Sequence, residues 1–237
     1  MTESKINYGI DALPVIRNLA LIGLAAIVLF SLSYAAEFLA GMRWMFFGFF
    51  LSFSVTALLL IFYTRFGKLR HRNRMLAMVE WRGGEQVLDV GTGRGLLMIG
   101  AAKKLDGGKS YGIDIWNAAD LSGNKIENAR RNAELEGVAA KIEIRNEDAR
   151  KMSFPDASFD VILSNLCLHN IPDREGRAQA CREIVRVLKP HGTAILSDFK
   201  NNKFYESVFK TAGLKTELSF PYLLDTFPPL RILKIQK

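Results

Sequence analysis

The stretch VLDVGTGRG, Val87 to Gly95, with YGIDIW, Tyr111 to Trp116, beyond it, decides the fold. An apolar run ends in an acid, glycines follow at two-residue spacing, and a second apolar run delivers Asp114, nineteen residues past Gly95. Glycines at such a place let the backbone turn sharply and approach a ligand with no Cβ in the way. A carboxylate at the tip of the next strand can accept hydrogen bonds from both hydroxyls of a ribose. Glycines plus one acid are also the mark of a dinucleotide site. The spacing leans against that reading, since a dinucleotide fingerprint runs G-x-G-x-x-G and this one runs G-x-G-x-G, with Leu96 in the third-glycine position.

Outward from this loop the chain alternates short apolar runs with amphipathic segments, which predicts a parallel sheet covered on both faces. We read strands at Gln86–Val90, Ser110–Asp114, Lys141–Arg145, Asp160–Ser164 and Thr193–Asp198. Helices fall near Gly95–Leu105, Asn124–Leu135 and Glu175–Leu188. Ligands in such sheets bind beyond the carboxyl ends of the strands, and the informative residues cluster there. After the third strand comes Asn146-Glu147-Asp148-Ala149, after the fourth SNLCLHN, and around the fifth VLKPHGTAILSDF.

Five motifs in this order and spacing, VLDVGTGRG, GIDIW, EDA, FDVILSNLCLHN and RVLKPHGTAILSDF, resemble the class I S-adenosylmethionine-dependent methyltransferases over roughly residues 65–237. The likeness is greatest to the group of ubiquinone/menaquinone C-methyltransferases and related small-molecule enzymes. It implies an α/β, Rossmann-like, seven-stranded sheet, mostly parallel, ending in an antiparallel hairpin for which Lys215–Phe220 and Arg231–Gln236 supply the strands. It implies S-adenosylmethionine as cofactor. By the same resemblance Asp89, Gly91, Thr92 and Gly93 cradle the methionine part and the adenosine edge. Asp114 takes the ribose and Ile115 flanks the adenine. Asp148 meets the adenine amino group, beside the backbone N–H of Ala149. Asn165 lies beside the methionine moiety near the reactive methyl.

Methyl transfer from a sulfonium is an in-line displacement, and an acceptor that loses a proton needs a base nearby. His169, four residues past Asn165, is the best placed candidate, with an ordinary pKa close to neutrality. Asp198 and Tyr205 can also face an acceptor. The NLCL run departs from the N-P-P-Y pattern of enzymes that methylate amide or base nitrogens, which disfavours those substrates. His191 reads as a structural turn residue. Cys167 and Cys181 form no disulfide framework and no metal-ligand spacing, so no metal is expected.

The front of the chain is different. Asn18–Ala36 is a run of nineteen residues without charge, and Trp44–Thr64 a run of twenty-one. At 1.5 Å per residue each makes a helix of about 30 Å, the thickness of a bilayer's hydrocarbon. We therefore expect a membrane anchor over residues 1–64, with helices at about 18–36 and 44–64, and a methyltransferase domain over 65–237. Two helices buried in a soluble core are the alternative. Ser33-Tyr34-Ala35 resembles a signal-peptidase site, but Glu3 and Asp11 interrupt the basic flank before it.

The net charge of +8 divides into +5 over residues 1–82 and +3 over the remainder, with no tract that suggests nucleic acid. Arg65, Lys68, Arg70, Arg72 and Arg74 follow the second apolar run, which predicts a cytosolic catalytic domain with this cluster toward anionic headgroups. Absence of a flexible linker holds that domain at the membrane, so the expected acceptor is small and lipophilic. Self-association through the hairpin is a further expectation. A methyltransferase acting on a protein or soluble metabolite, and a non-catalytic cofactor-binding module, stay open.

Overall fold

The computed structural model describes residues 5–118 and 120–237. It begins with two long helices, α1 (Leu13–Leu32) and α2 (Arg43–Phe62), packed side by side and joined by a short 3-10 segment, Glu37–Met42. Gly23 permits their close approach, since a Cβ there would stand 3.2 Å from Ser54 Oγ. Both are long and apolar enough to cross a membrane. Their apolar side chains point outward: only 17% and 11% of the apolar windows are buried, and Leu21, Leu24 and Leu58 are more than half exposed. A buried core pair would show the reverse.

The first helix starts five residues earlier than its predicted span and ends at Leu32. Pro14 explains the start, because a proline's fixed φ and missing N–H suit the first helical turn. The second helix does not end where its apolar run ends. Through one wide π turn, Tyr63–Gly67, it continues into α3 (Lys68–Ala77), so helical backbone runs unbroken from Arg43 to Ala77.

The remainder is a seven-stranded sheet: β1 (Gln86–Val90), β2 (Lys109–Asp114), β3 (Ile142–Asn146), β4 (Phe159–Asn165), β5 (Leu188–Asp198), β6 (Lys215–Leu218) and β7 (Arg231–Gln236). Their order is β3-β2-β1-β4-β5-β7-β6. The first five are parallel, and β7 runs antiparallel to both β5 and β6. This is the expected Rossmann-like methyltransferase sheet with its terminal hairpin. Helices α4 (Leu96–Ala102), α5 (Ile126–Leu135), α6 (Arg174–Val187) and α7 (Asn202–Thr211) complete the chain. One apolar core, with Leu88, Ile162, Ile184 and Phe209, lies on one face of the sheet; a second joins α3 through Met75 and Leu76 to Val87, Leu163 and Ile195.

Strand order reverses between β1 and β4, which opens the crevice where α/β sheets take ligands. Helix α3 is fastened to this carboxyl end. His71, fully buried, bonds Ser197 Oγ on β5 at 2.6 Å, and Arg74 pairs with Asp225 at 2.6 Å in the β6–β7 loop. That loop rests on the π turn so closely that a Cβ at Gly67 would stand 2.0 Å from the Asp225 carbonyl oxygen.

Lys68 corrects one expectation. It is buried, and its ammonium binds the carbonyls of Tyr8 and Gly9 and the Asp11 carboxylate, at 3.2, 2.7 and 2.9 Å. A cation enclosed by three acceptors cannot address headgroups; Arg65 and Arg70 are the exposed members of that cluster.

Gly67→Ala must displace the β6–β7 loop, an overpacking that costs about 1–3 kcal/mol. We expect faster proteolytic cleavage within residues 219–230 with unchanged far-UV circular dichroism.

Candidate functional site

At the end of β1 the backbone enters the left-handed region at Gly91, Gly93 and Gly95, with φ of 75, 53 and 86°. The Gly91 and Thr92 amides both donate to the Ile113 carbonyl at 2.9 Å, which ties the loop to β2. Cys167, from the segment after β4, fills the space that a side chain at Gly91 would need.

Asp89 is the buried centre of the loop, 1% exposed. Its Oδ2 accepts from Thr92 Oγ and from the Met98 amide, both at 2.9 Å, while its Oδ1 has no partner. Burial pushes this carboxyl up to about 7, helped by the charge of Asp114 and opposed by the two hydrogen bonds. Thr92 thus orients Asp89 and faces inward. Asp114 Oδ2 accepts from the Gly93 amide at 2.8 Å, and Oδ1 from the Trp116 amide at 2.7 Å and Asn124 Nδ2 at 3.3 Å. Oδ2 retains a further lone pair, while both of Oδ1's are taken. Ile115, beside it, is 61% exposed.

Asn165 ends β4 with its Oδ1 unpartnered, and Leu166 after it holds φ +53°. Trp116, just past Asp114, holds φ +59° with its indole N–H buried and unpartnered. Bulky residues in this region are strained, and such strain gathers at ligand sites. His169 Nδ1 lies 3.0 Å and 3.1 Å from the two oxygens of Asp198, and its ring meets Phe199 edge-on at 4.7 Å. An Nδ1–H donated to that carboxylate leaves Nε2 as the acceptor. Asp89, Asp114, Asp120 and Asp198 all act on Cys167, which marks the middle of the site; enclosure and these charges push its thiol far up, so it is no nucleophile.

The structure therefore brings together Asp89, Gly91, Thr92, Gly93, Asp114, Asn165, His169 and Asp198 at the carboxyl ends of β1, β2, β4 and β5. Asp148 and Ala149 follow β3, farther along the same edge, and Asp148 is clasped by Arg150 through contacts of 2.6 and 3.0 Å. Tyr205 is a core residue, 1% exposed, rather than a surface of the crevice. His191 lies in the irregular opening stretch of β5 at φ +65°, with its N–H on the Lys237 carbonyl, in keeping with a structural part. A groove of about 550 Å³, lined by Glu85, Asp160, Lys189 and His191 among others, lies at the opposite ends of the strands. Lys189 pairs there with Asp160, and the Glu85 carboxylate accepts from the Arg82 and Gly83 amides.

Sequence reasoning missed a strap. Asn7 exchanges hydrogen bonds with Asn132 at 3.1 and 3.0 Å, and Asn132 also donates to the Arg94 carbonyl in the glycine loop. Ile10 pairs through its backbone with Ser122. Residues 7–11 thus cross the turn beyond Asp114, pinned by Lys68.

The unsatisfied Asp89 Oδ1, Asn165 Oδ1 and Trp116 Nε1, the glycine cradle and the ring of carboxylates fit a cationic, nucleoside-bearing cofactor. Comparison with known proteins points the same way. Residues 88–196 match a family described as a methyltransferase domain. The chain is 34% identical over 130 residues to 27-O-demethylrifamycin SV methyltransferase of Amycolatopsis mediterranei, covering 55% of this chain and 44% of that protein. It is 30% identical over 123 residues to the ubiquinone/menaquinone biosynthesis C-methyltransferase UbiE of Vibrio vulnificus, covering 52% and 44%. It spans less than half the length of either. A solved S-adenosylmethionine-dependent methyltransferase from Aquifex aeolicus shares the fold, with a TM-score of 0.55 at 19% identity over 70% of this chain and 88% of that one. Residues 88–196 thus resemble a methyltransferase domain, and S-adenosylmethionine is the cofactor that this match supports.

Gly91→Ala drives a methyl to within 2.3 Å of Cys167 Sγ at a φ that alanine resists. We expect a loss of about 2 kcal/mol or more, read from thermal unfolding in detergent. Pairing it with Cys167→Gly should restore the packing part and leave a residue of about 1 kcal/mol.

Proposed function

We propose that this protein transfers a methyl group from S-adenosylmethionine to a small, lipophilic acceptor at the cytosolic face of a membrane. The observation that carries the membrane half of this reading is the unbroken helix from Arg43 to Ala77. It joins an apolar span to the very strand ends that hold the site, with no linker to let the domain swing away. Residues 7–11 and α3 both contact the catalytic domain, so the chain enters and leaves the hairpin on the same side. Phe220, Leu223 and Leu224, 89, 71 and 96% exposed in the loop against the π turn, are suited to dip into lipid beside α2. The relatives act, by their names, on a rifamycin, on quinone precursors and on a sterol, which supports a small apolar acceptor.

The cofactor supplies a methyl on a sulfonium, which any well aligned nucleophile can take. The protein's residues do the rest. Asp89 Oδ1 takes the ammonium of the methionine part over the glycine cradle. Asp114 takes the ribose, Ile115 covers the adenine, and Asp148 with the Ala149 amide reads its edge. Asn165 orients the methionine end toward the acceptor. His169, its ring held by Asp198, accepts at Nε2 the proton that the acceptor releases, and exclusion of water by the strap and the π turn preserves alignment.

The test is direct. Protein in nanodiscs receives methyl-labelled S-adenosylmethionine and, separately, a total lipid extract, soluble metabolites or membrane proteins. We expect label in the organic phase, lost in Asp114→Ala; label only in water or protein would discard the lipophilic acceptor. His169→Gln should lower the rate by about 10²-fold or more.

Asp89 gives a readout independent of turnover. Its folded pKa of about 7 lies above the ordinary value, so the stability it contributes is complete at low pH and is lost as pH rises through 7. A bound ammonium favours the carboxylate and lowers that pKa. Binding at pH 6 should therefore release close to one proton, measured by calorimetry in buffers of different ionisation heat, and Asp89→Asn should release none.

A further inference from the structure

The π turn that ends the second apolar helix carries a tyrosine that the site described so far does not use. Tyr63 is 2% exposed; its neighbours Phe62 and Phe66 point outward at 43 and 60% exposure, with rings 5.6 Å apart. The wider turn rotates Tyr63 away from the lipid-facing surface and into the protein. Its hydroxyl has no hydrogen-bond partner. Asn165 at the end of β4 is close enough to interact with it as a hydrogen-bond partner, though at a geometry too poor for a well-formed bond, and the charges of Asp11 of the strap, Asp198 at the end of β5 and Asp225 of the β6–β7 loop also reach it. Asn165 Oδ1 is likewise unpartnered.

A buried hydroxyl with nothing to bond costs free energy, and phenylalanine would fill the same space without that cost. Tyr63, from the apolar helix, and Asn165, from the sheet, lie near one another without a well-formed hydrogen bond, so a ligand oxygen beside them would satisfy both. The sheet order says which ligand. Most cofactor-type groups line β3, β2 and β1, with Asn165 at the boundary toward the reactive methyl, whereas Tyr63 approaches from the β4–β5 side, where His169 and Asp198 stand. That is the acceptor's side of the crevice.

We propose that Tyr63 anchors the acceptor: its hydroxyl, with Asn165, binds an oxygen-bearing head, a hydroxyl or carbonyl, of an amphiphile whose apolar tail leaves along Phe62 and Phe66 toward lipid. The inference rests on the methyl-transfer reading and names the residue and head-group chemistry within it. It makes the second apolar helix a part of the active site rather than only an anchor. Tyr63 touches the acceptor's oxygen and takes no proton.

The experiment compares wild type, Tyr63→Phe and the outward control Leu58→Val, 64% exposed on α2 and away from the tail's path, in nanodiscs. Label transferred from S-adenosylmethionine into the organic phase is measured against the amount of total lipid extract supplied, and S-adenosylhomocysteine affinity is measured by calorimetry. We expect Tyr63→Phe to need about tenfold more extract for half-maximal labelling, the effect of about one lost hydrogen bond. S-adenosylhomocysteine should bind all three proteins alike. Equal extract dependence in wild type and Tyr63→Phe overturns the proposal. So does a matching loss of S-adenosylhomocysteine affinity, which would put Tyr63 on the cofactor side or in the scaffold. Wild type that binds S-adenosylhomocysteine yet labels nothing in the extract overturns the lipophilic-acceptor reading, and this proposal with it. Failure of Tyr63→Phe alone leaves that reading standing.

Discussion

The unbroken backbone hydrogen bonding from Arg43 to Ala77 governs the rest of the molecule. A helix transmits orientation because each turn is bonded to the next, and a π turn widens that ladder without opening it. The apolar span therefore cannot rotate independently of α3, and α3 cannot leave the sheet without unpairing His71 from Ser197 and Arg74 from Asp225. The position of the crevice relative to the apolar hairpin follows from this rod. Everything proposed about the acceptor depends on it.

The chemistry of the crevice is built on a surplus of carboxylates. Asp89, Asp114, Asp120 and Asp198 converge on one small region, where His169 hydrogen-bonds Asp198 and its charge also reaches Asp120. Burial first, and the neighbouring charge of Asp114 second, raise the proton affinity of Asp89 and Asp120. Such an arrangement is costly while nothing positive is present. A ligand with a sulfonium and an ammonium removes that cost, so binding strength and charge selectivity arise from the same groups.

Much of the fold was legible because its signals are local. Strands β1 and β7 begin and end where their apolar runs do, and the acids and glycines at the strand tips kept their spacing. Other boundaries were hidden by structure the chain alone does not advertise. Strand β5 starts at Leu188, five residues before its predicted start, since the register shifts between Phe159 and Val161 and the strand passes through Pro190 and Gly192 as an irregularity. Helix α7 was not read at all, although Tyr205 and Phe209 stand at helical spacing on its buried side. The strap was out of reach for a different cause: backbone amides and asparagines bonding across more than a hundred residues leave no periodic trace. Lys68 counted as a surface cation by its neighbours in sequence, and burial by Asp11 overrode them. Tyr63 stands at the end of an uncharged run with nothing in its neighbours to single it out, and only the turn's geometry directs it inward.

The strap also imposes an order on synthesis. Residues 7–11 are made first, but their partners at Ser122 and Asn132 follow 112 and 125 positions later. At the usual ribosomal pace of ~5–20 residues per second, the strap waits on the order of ten seconds before it has anywhere to dock. The apolar hairpin lies between and is complete well before then. A segment that reaches its seat only after the nucleoside turn has formed acts as a closing latch, one that registers whether the domain beneath it was assembled.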